Sequence, residues 1–148
     1  MSFELKVKGI FGNKVILITG ASSGIGTDGA VHLAKKGAMV SRNQENLNSV
    51  SDKIKSFGAP NPLIIVADVT TDGERIIEET VTHFGRLDVL INNAGIVACN
   101  SIQTIKLHEF DRIMNVNVRA IQLSQLAVLH LAKSNGNILN VSSVCSTV

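Results

Sequence analysis

Three glycines, Gly20, Gly24 and Gly26, directly follow the apolar run Val15-Ile16-Leu17-Ile18 and open a stretch with helical spacing. Glycine in such a place lets the chain turn tightly and lets its backbone approach a ligand that a Cβ would hold off. The free N–H groups and the dipole of the helix that follows attract negative charge, so a glycine-rich turn between a strand and a helix is a cradle for a pyrophosphate. Ser22 and Ser23 add hydroxyl donors inside the same turn. A strand-to-helix turn without a ligand is the plain alternative for the glycines taken alone.

More polar groups of the same kind recur along the chain. Asp68-Val69 follow the apolar run Leu63–Val66, Asn92-Asn93-Ala94-Gly95 follow Leu87–Ile91, and Ser142-Ser143 follow Ile138–Val141. Ligands of open parallel sheets bind outside the carboxyl ends of the strands, where these residues stand. Each has a structural alternative: an Asp that ends a strand, Asn side chains that close a turn, a serine pair in an ordinary turn. Arg42 comes at the end of a second, weaker apolar stretch, Gly37-Ala38-Met39-Val40, with no acid before it. An acid there would hold a ribose 2′-hydroxyl and an arginine a 2′-phosphate, so Arg42 favours NADP(H) over NAD(H). Glu45 reads as a solvated first-turn carboxylate. Asn115 and Asn117 fall within a long helical stretch, where asparagine is a mediocre former, and an exposed polar face with Asp111 and Arg112 is the alternative. His32, His83, His108 and His130 match no ligand spacing, so no metal site is expected.

The elements that must position these groups follow from the period of the apolar residues. Short branched runs at 15–18, 63–66, 87–91 and 138–141 suit parallel strands buried on both faces. Residues 24–36, 45–57, 72–84 and 107–134 carry apolar positions at three- and four-residue spacing, with Asp72 or Thr71 as a cap for the third helix. Strand and helix alternate, which predicts an α/β, doubly wound parallel sheet built from right-handed βαβ units. The whole of 1–148 reads as one partial nucleotide-binding domain of this Rossmann-like kind.

TGASSGIG at 19–26, NNAG at 92–95 and NVSS at 140–143 together resemble the short-chain dehydrogenase/reductase family. The resemblance runs from about Asn13 to the end. It implies that Gly20, Ser22, Ser23, Gly24, Ile25 and Gly26 hold the cofactor's pyrophosphate, that Arg42, Asp68 and Val69 hold its adenosine end, and that Asn93, Ala94 and Gly95 lie against it. It implies catalytic roles for Asn117, through a water in a proton relay, and for Ser143, through the substrate carbonyl. The substrate class, in a full-length form, would be a small alcohol or carbonyl compound, and the resemblance allows a homo-oligomer whose interface would be incomplete in this chain. Against the family's pattern, the second strand looks short by about three residues. Asp28 and Gly29 stand where the family has small helix formers. The family moves its proton with a Tyr-x-x-x-Lys downstream of the serine matching Ser143, and this chain has no tyrosine. The expectation is therefore a cofactor-binding part inactive by itself, with a non-catalytic nucleotide-binding or interaction module as the alternative.

Composition narrows the rest. With 14 basic and 12 acidic residues scattered over 148, and no Lys/Arg run, nothing asks for nucleic acid or an anionic membrane. No apolar segment approaches the length of a membrane span, and a soluble cytoplasmic protein is expected. Cys99 and Cys145 fit no disulfide or zinc pattern and read as free thiols.

Overall fold

The computed structural model describes residues 11–33, 36–98, 101 and 103–143. Cys99, Cys145 and residues 34–35 of the expected first helix lie outside them. Five strands, β1 (Val15–Thr19), β2 (Lys36–Ser41), β3 (Leu63–Val66), β4 (Val89–Asn92) and β5 (Asn137–Asn140), form one parallel sheet in the order β3-β2-β1-β4-β5. The helices between them are α1 (Gly24–Leu33), α2 (Gln44–Ser56), α3 (Gly73–Phe84), α4 (Leu107–Asn117) and α5 (Leu123–Ser134). The chain order reverses direction across β1, which places a crevice at the carboxyl ends of β1 and β4.

Every residue of β1 is buried, because side chains alternate between two covered faces. Val15 and Leu17 pack with Ile76 and Ile77 of α3 and Leu123 and Leu131 of α5. Ile16 and Ile18 pack with Ala30 of α1 and Leu47, Val50 and Ile54 of α2. This two-sided burial is why the strand reads as a continuous apolar run.

Two expectations are corrected. The second strand is not stunted: at six residues β2 is longer than β1, pairing from Lys36 to Val40 with β1 and from Ala38 to Ser41 with β3. Paired on both sides, its backbone extends past the four apolar residues that mark it in the sequence, and only two residues separate it from α1. The expected helix 107–134 is broken: α4 ends at Asn117, a 3₁₀ turn spans Arg119–Gln122, and α5 begins at Leu123. Asp72 does occupy the N-cap position of α3, but its carboxylate accepts from the Asp68 N–H at 2.9 Å and from Arg75, and so caps no helix donor. Among the described residues β5 pairs with β4 alone, and all four residues of β5 are exposed, Leu139 by 53%.

Candidate functional site

The three glycines have three different reasons. Gly20 adopts φ 66°, and a Cβ there would stand 2.8 Å from the Cα of Ala94. A Cβ at Gly26 would overlap the Gly20 carbonyl oxygen and lie 2.5 Å from Asn93 Nδ2. Gly24, at φ 53°, faces open space. Two glycines thus close the turn onto the chain, and the third leaves its outer side clear.

The turn is fastened to the end of β4 by neutral groups. The Thr19 hydroxyl accepts from the N–H groups of Asn93 and Ala94, both at 3.0 Å. The Asn93 side-chain amide donates to the carbonyls of Thr19 at 3.0 Å and Gly20 at 3.3 Å. Asn93, Ala94 and the glycine turn are therefore one unit. Ser23 and Ile25 stand exposed on its rim, and Ala21 donates to the Val40 carbonyl at 3.2 Å, tying the turn to β2. Asp28 is exposed, on the side of α1 away from buried Gly26 and Ala30.

At the end of β2, Ser22, Arg42, Asn43 and Glu45 line an open cleft of about 600 Å³. Arg42 reaches Asp68 at 3.6 Å. Asp68 is held below the usual carboxylate range first by the Thr70 hydroxyl at 2.6 Å, then by the Thr70 N–H and the Arg42 charge, which outweigh its partial desolvation. A second cleft, of about 290 Å³, lies between Arg42, Asp68 and Thr70 and the α4 residues His108, Arg112 and Asn115. Val69, Ala94 and Asn117 share a small cavity further along the same edge with Val141.

Asn117 sits where the long helix breaks. Its Oδ1 accepts from the Ile96 N–H and its Nδ2 donates to the Ile96 carbonyl, both at 2.9 Å, so its side chain clasps the segment that follows Gly95. A Cβ at Gly95 would lie 3.6 Å from that Oδ1. Ser143 is exposed, two residues beyond Val141, whose N–H donates to the Asn92 carbonyl at 2.9 Å.

Three supporting residues escape a reading of the sequence. Thr19 is the hydroxyl hub just described. Asn92, the first residue of the NNAG string, donates to Ser124 at 2.9 Å and Asn140 at 2.8 Å, tying β4 to α5 and β5. Ser41 bonds Ser22 at 2.7 Å. The threonine closing a buried strand and the doubled asparagine were the available signals; Ser41 offered none. Among the described residues no group of three or more His, Cys, Asp or Glu could hold a metal ion, and no helix is long and apolar enough to cross a membrane.

Comparison with known proteins agrees with this geometry. The model of the short chain dehydrogenase family matches residues 14–148. An uncharacterized oxidoreductase of Thermotoga maritima is 44% identical over 138 residues, covering 90% of this chain and 55% of that protein. The chain spans about half the length of the curated relatives it matches. A short-chain type dehydrogenase/reductase from Mycobacterium marinum superposes with a TM-score of 0.88 at 31% identity, covering 100% of this chain and 62% of that one. NAD⁺-bound xylitol dehydrogenase superposes with a TM-score of 0.86 at 29% identity, covering 93% and 56%. The parallel sheet, the glycine turn locked to NNAG and the family match over nine-tenths of the residues lead to one conclusion: this chain belongs to the short-chain dehydrogenase/reductase family of oxidoreductases.

Proposed function

We propose that the chain binds NADP(H) along the carboxyl edge of its sheet, as the cofactor-holding part of an enzyme that interconverts an alcohol and a carbonyl compound. The observation that carries the cofactor preference is Arg42: ion-paired to Asp68 directly after β2, it lines the same cleft as Ser22. The residues fit such a ligand. Gly24 leaves room for a pyrophosphate against the backbone, Arg42 matches a phosphate monoester in charge and shape, and Asp68, ionised at neutral pH, can accept from the exocyclic amine of adenine.

When bound, the nicotinamide supplies or takes the hydride. The chain's own part is to hold the cofactor between the glycine turn and Asn93–Gly95, and to offer the Ser143 hydroxyl to a carbonyl oxygen on which charge develops. Asn117 keeps the Gly95–Ile96 backbone in place through its two bonds to Ile96. With no tyrosine among its 148 residues, the chain has no phenol to move the proton, so it is expected to bind cofactor without measurable turnover.

Titration of the purified chain with NADPH and NADH, followed by nucleotide fluorescence, tests this reading. NADPH is expected to bind about tenfold tighter or more, the worth of charge-assisted bonds to a phosphate. Equal affinities would remove the NADP(H) preference. Binding of neither would leave the interaction-module reading.

A further inference from the structure

Asn135 and Gly136 form the one Asn-Gly pair of the sequence, and they make the corner between α5 and β5. Asparagine before glycine is chemically labile. The glycine nitrogen attacks the asparagine Cγ, a C–N bond forms, and the side-chain Nδ2 leaves as ammonia, taking up the proton that the glycine N–H gives up. Water then opens the five-membered imide at either carbonyl and leaves aspartate or isoaspartate. No metal, oxidant or second protein takes part, and a glycine offers no side chain to crowd the closing ring.

The fold cannot do without this pair. Asn135 ends α5 at φ 50° and ψ 47°, the only non-glycine residue with positive φ among the described residues. A Cβ on Gly136 would overlap the Asp88 carbonyl oxygen and stand 2.9 Å from both Leu131 Cδ2 and Ser134 Oγ. The same packing restrains the reaction. The Gly136 N–H donates to the Leu131 carbonyl at 2.8 Å, so the attacking nitrogen holds its proton in a bond made back into α5. On either side, the Asn137 N–H donates to the Asp88 carbonyl at 2.9 Å and the Ser134 hydroxyl to the Leu87 carbonyl at 2.6 Å, which fastens both flanks of the pair to the segment entering β4. Asn135 itself is exposed to water.

We propose that Asn135 is a spontaneous deamidation site gated by opening of the α5–β5 corner. While the corner is closed, the Gly136 nitrogen is bound to Leu131; each opening offers it to the Asn135 carboxamide. Loss of ammonia makes the change one-way. The isoaspartate product carries one further main-chain carbon between α5 and β5, so the Gly136–Leu131 and Asn137–Asp88 bonds cannot both re-form. The corner then stays loose, and β5 loses its register on β4. This inference stands apart from the NADP(H) reading and does not depend on it.

The test incubates the 148-residue chain in mildly alkaline buffer, with and without guanidinium chloride, and follows the peptide containing Asn135 by mass spectrometry for the gain of an acid in place of the amide. Hydrogen exchange of the Gly136 amide is measured alongside. Conversion is expected to be at least about tenfold slower in the folded chain than in the denatured one, a corner opening of about 1.4 kcal/mol or more. The protection of the Gly136 amide should match that factor, because exchange and attack draw on the same open state. Ser134→Ala, which removes the bond to Leu87, should raise the folded-state rate about three- to tenfold. The converted chain should melt below the unconverted one. Equal rates in folded and denatured chains overturn the proposal, as do a denatured chain that does not convert, a slowing unrelated to the Gly136 protection, or an unchanged rate in Ser134→Ala. If Ser134→Ala fails to fold, the match between rate and protection in the wild type decides. An unaltered melt after conversion rejects the loosening of β5.

Discussion

The two ends of β1 are tied to β4 by opposite chemistry. At the amino end a charge does it: the Asp88 carboxylate, fully buried, accepts from the Val15 N–H at 2.9 Å, from Arg86 at 2.9 and 2.6 Å, and from Lys14 at 3.3 Å. At the carboxyl end only neutral groups take part, the Thr19 hydroxyl and the Asn93 amide. The proposed cofactor gives this difference a reason. A carboxylate in the place of Thr19 or Asn93 would repel a pyrophosphate bound at the glycine turn, whereas the Asp88 charge at the amino end faces the cationic Arg86 and Lys14. Asp88 is matched by donors of the protein itself, and on the proposed reading the carboxyl end is kept neutral for a ligand.

The sharpest way to break this contrast is Gly26→Ala. With the Gly20 carbonyl and the Asn93 amide in the way of a Cβ, we expect a loss of about 3 kcal/mol or more and no nucleotide binding, read by thermal melt and titration. Gly24→Ala, in open space but with a left-handed backbone, should cost only about 1 kcal/mol.

Asp88→Asn probes the other end and should cost roughly 2–3 kcal/mol, because buried charge-assisted bonds are lost while NADPH affinity stays the same. Burial pushes the Asp88 carboxyl up, but the donors from Arg86, Val15 and Lys14 outweigh it and hold the group below the usual range. Its contribution is therefore complete above the unfolded-state pKa of about 3.9 and disappears as pH falls through the lower folded value. Acid melts should show the wild type losing stability below about pH 4 more steeply than Asp88→Asn. Parallel acid limbs would mean that another carboxylate governs acid unfolding.

Arg42→Ala should lower NADPH affinity about tenfold or more while moving stability by less than about 0.5 kcal/mol, since its ion pair with Asp68 is solvent-exposed. The smallest effect is a gain. Gly29 has a helical backbone, and the nearest atom to a Cβ there is Ile18 Cδ1 at 3.8 Å, so Gly29→Ala should stabilise by about 0.5–1 kcal/mol, measured by chemical denaturation. A loss instead would show that α1 needs its flexibility there.

What could be read from the residues alone divides along the same line. β1 was legible because burial on both faces writes itself as five apolar or small residues in a row. β2 was misjudged because its length comes from backbone pairing with β1 and β3, which leaves no mark on side-chain type. The break after Asn117 was missed because apolar spacing continues through it. At the break the Asn117 side chain is bonded to Ile96, 21 residues away, a contact that spacing does not reveal. The string motifs located Gly20, Gly26 and Asn93, but the contact among them involves residues about 70 positions apart, as does the Asp88 network. Sequence shows which groups are present; which of them exhaust one another's hydrogen bonds appears only once distant segments meet.

The lock between the glycine turn and Asn93 also sets a schedule for folding. Every glycine of the turn is present within the first 26 residues, yet the wedge that shapes it arrives with residues 92–94. A nascent chain that has emerged through β3 carries the complete glycine string without the conformation that gives it meaning. The turn takes its shape only when β4 lies beside β1, a long-range pairing that carries the closure cost of the whole intervening chain. On the proposed reading, a cofactor would find its cradle complete only once that pairing is made.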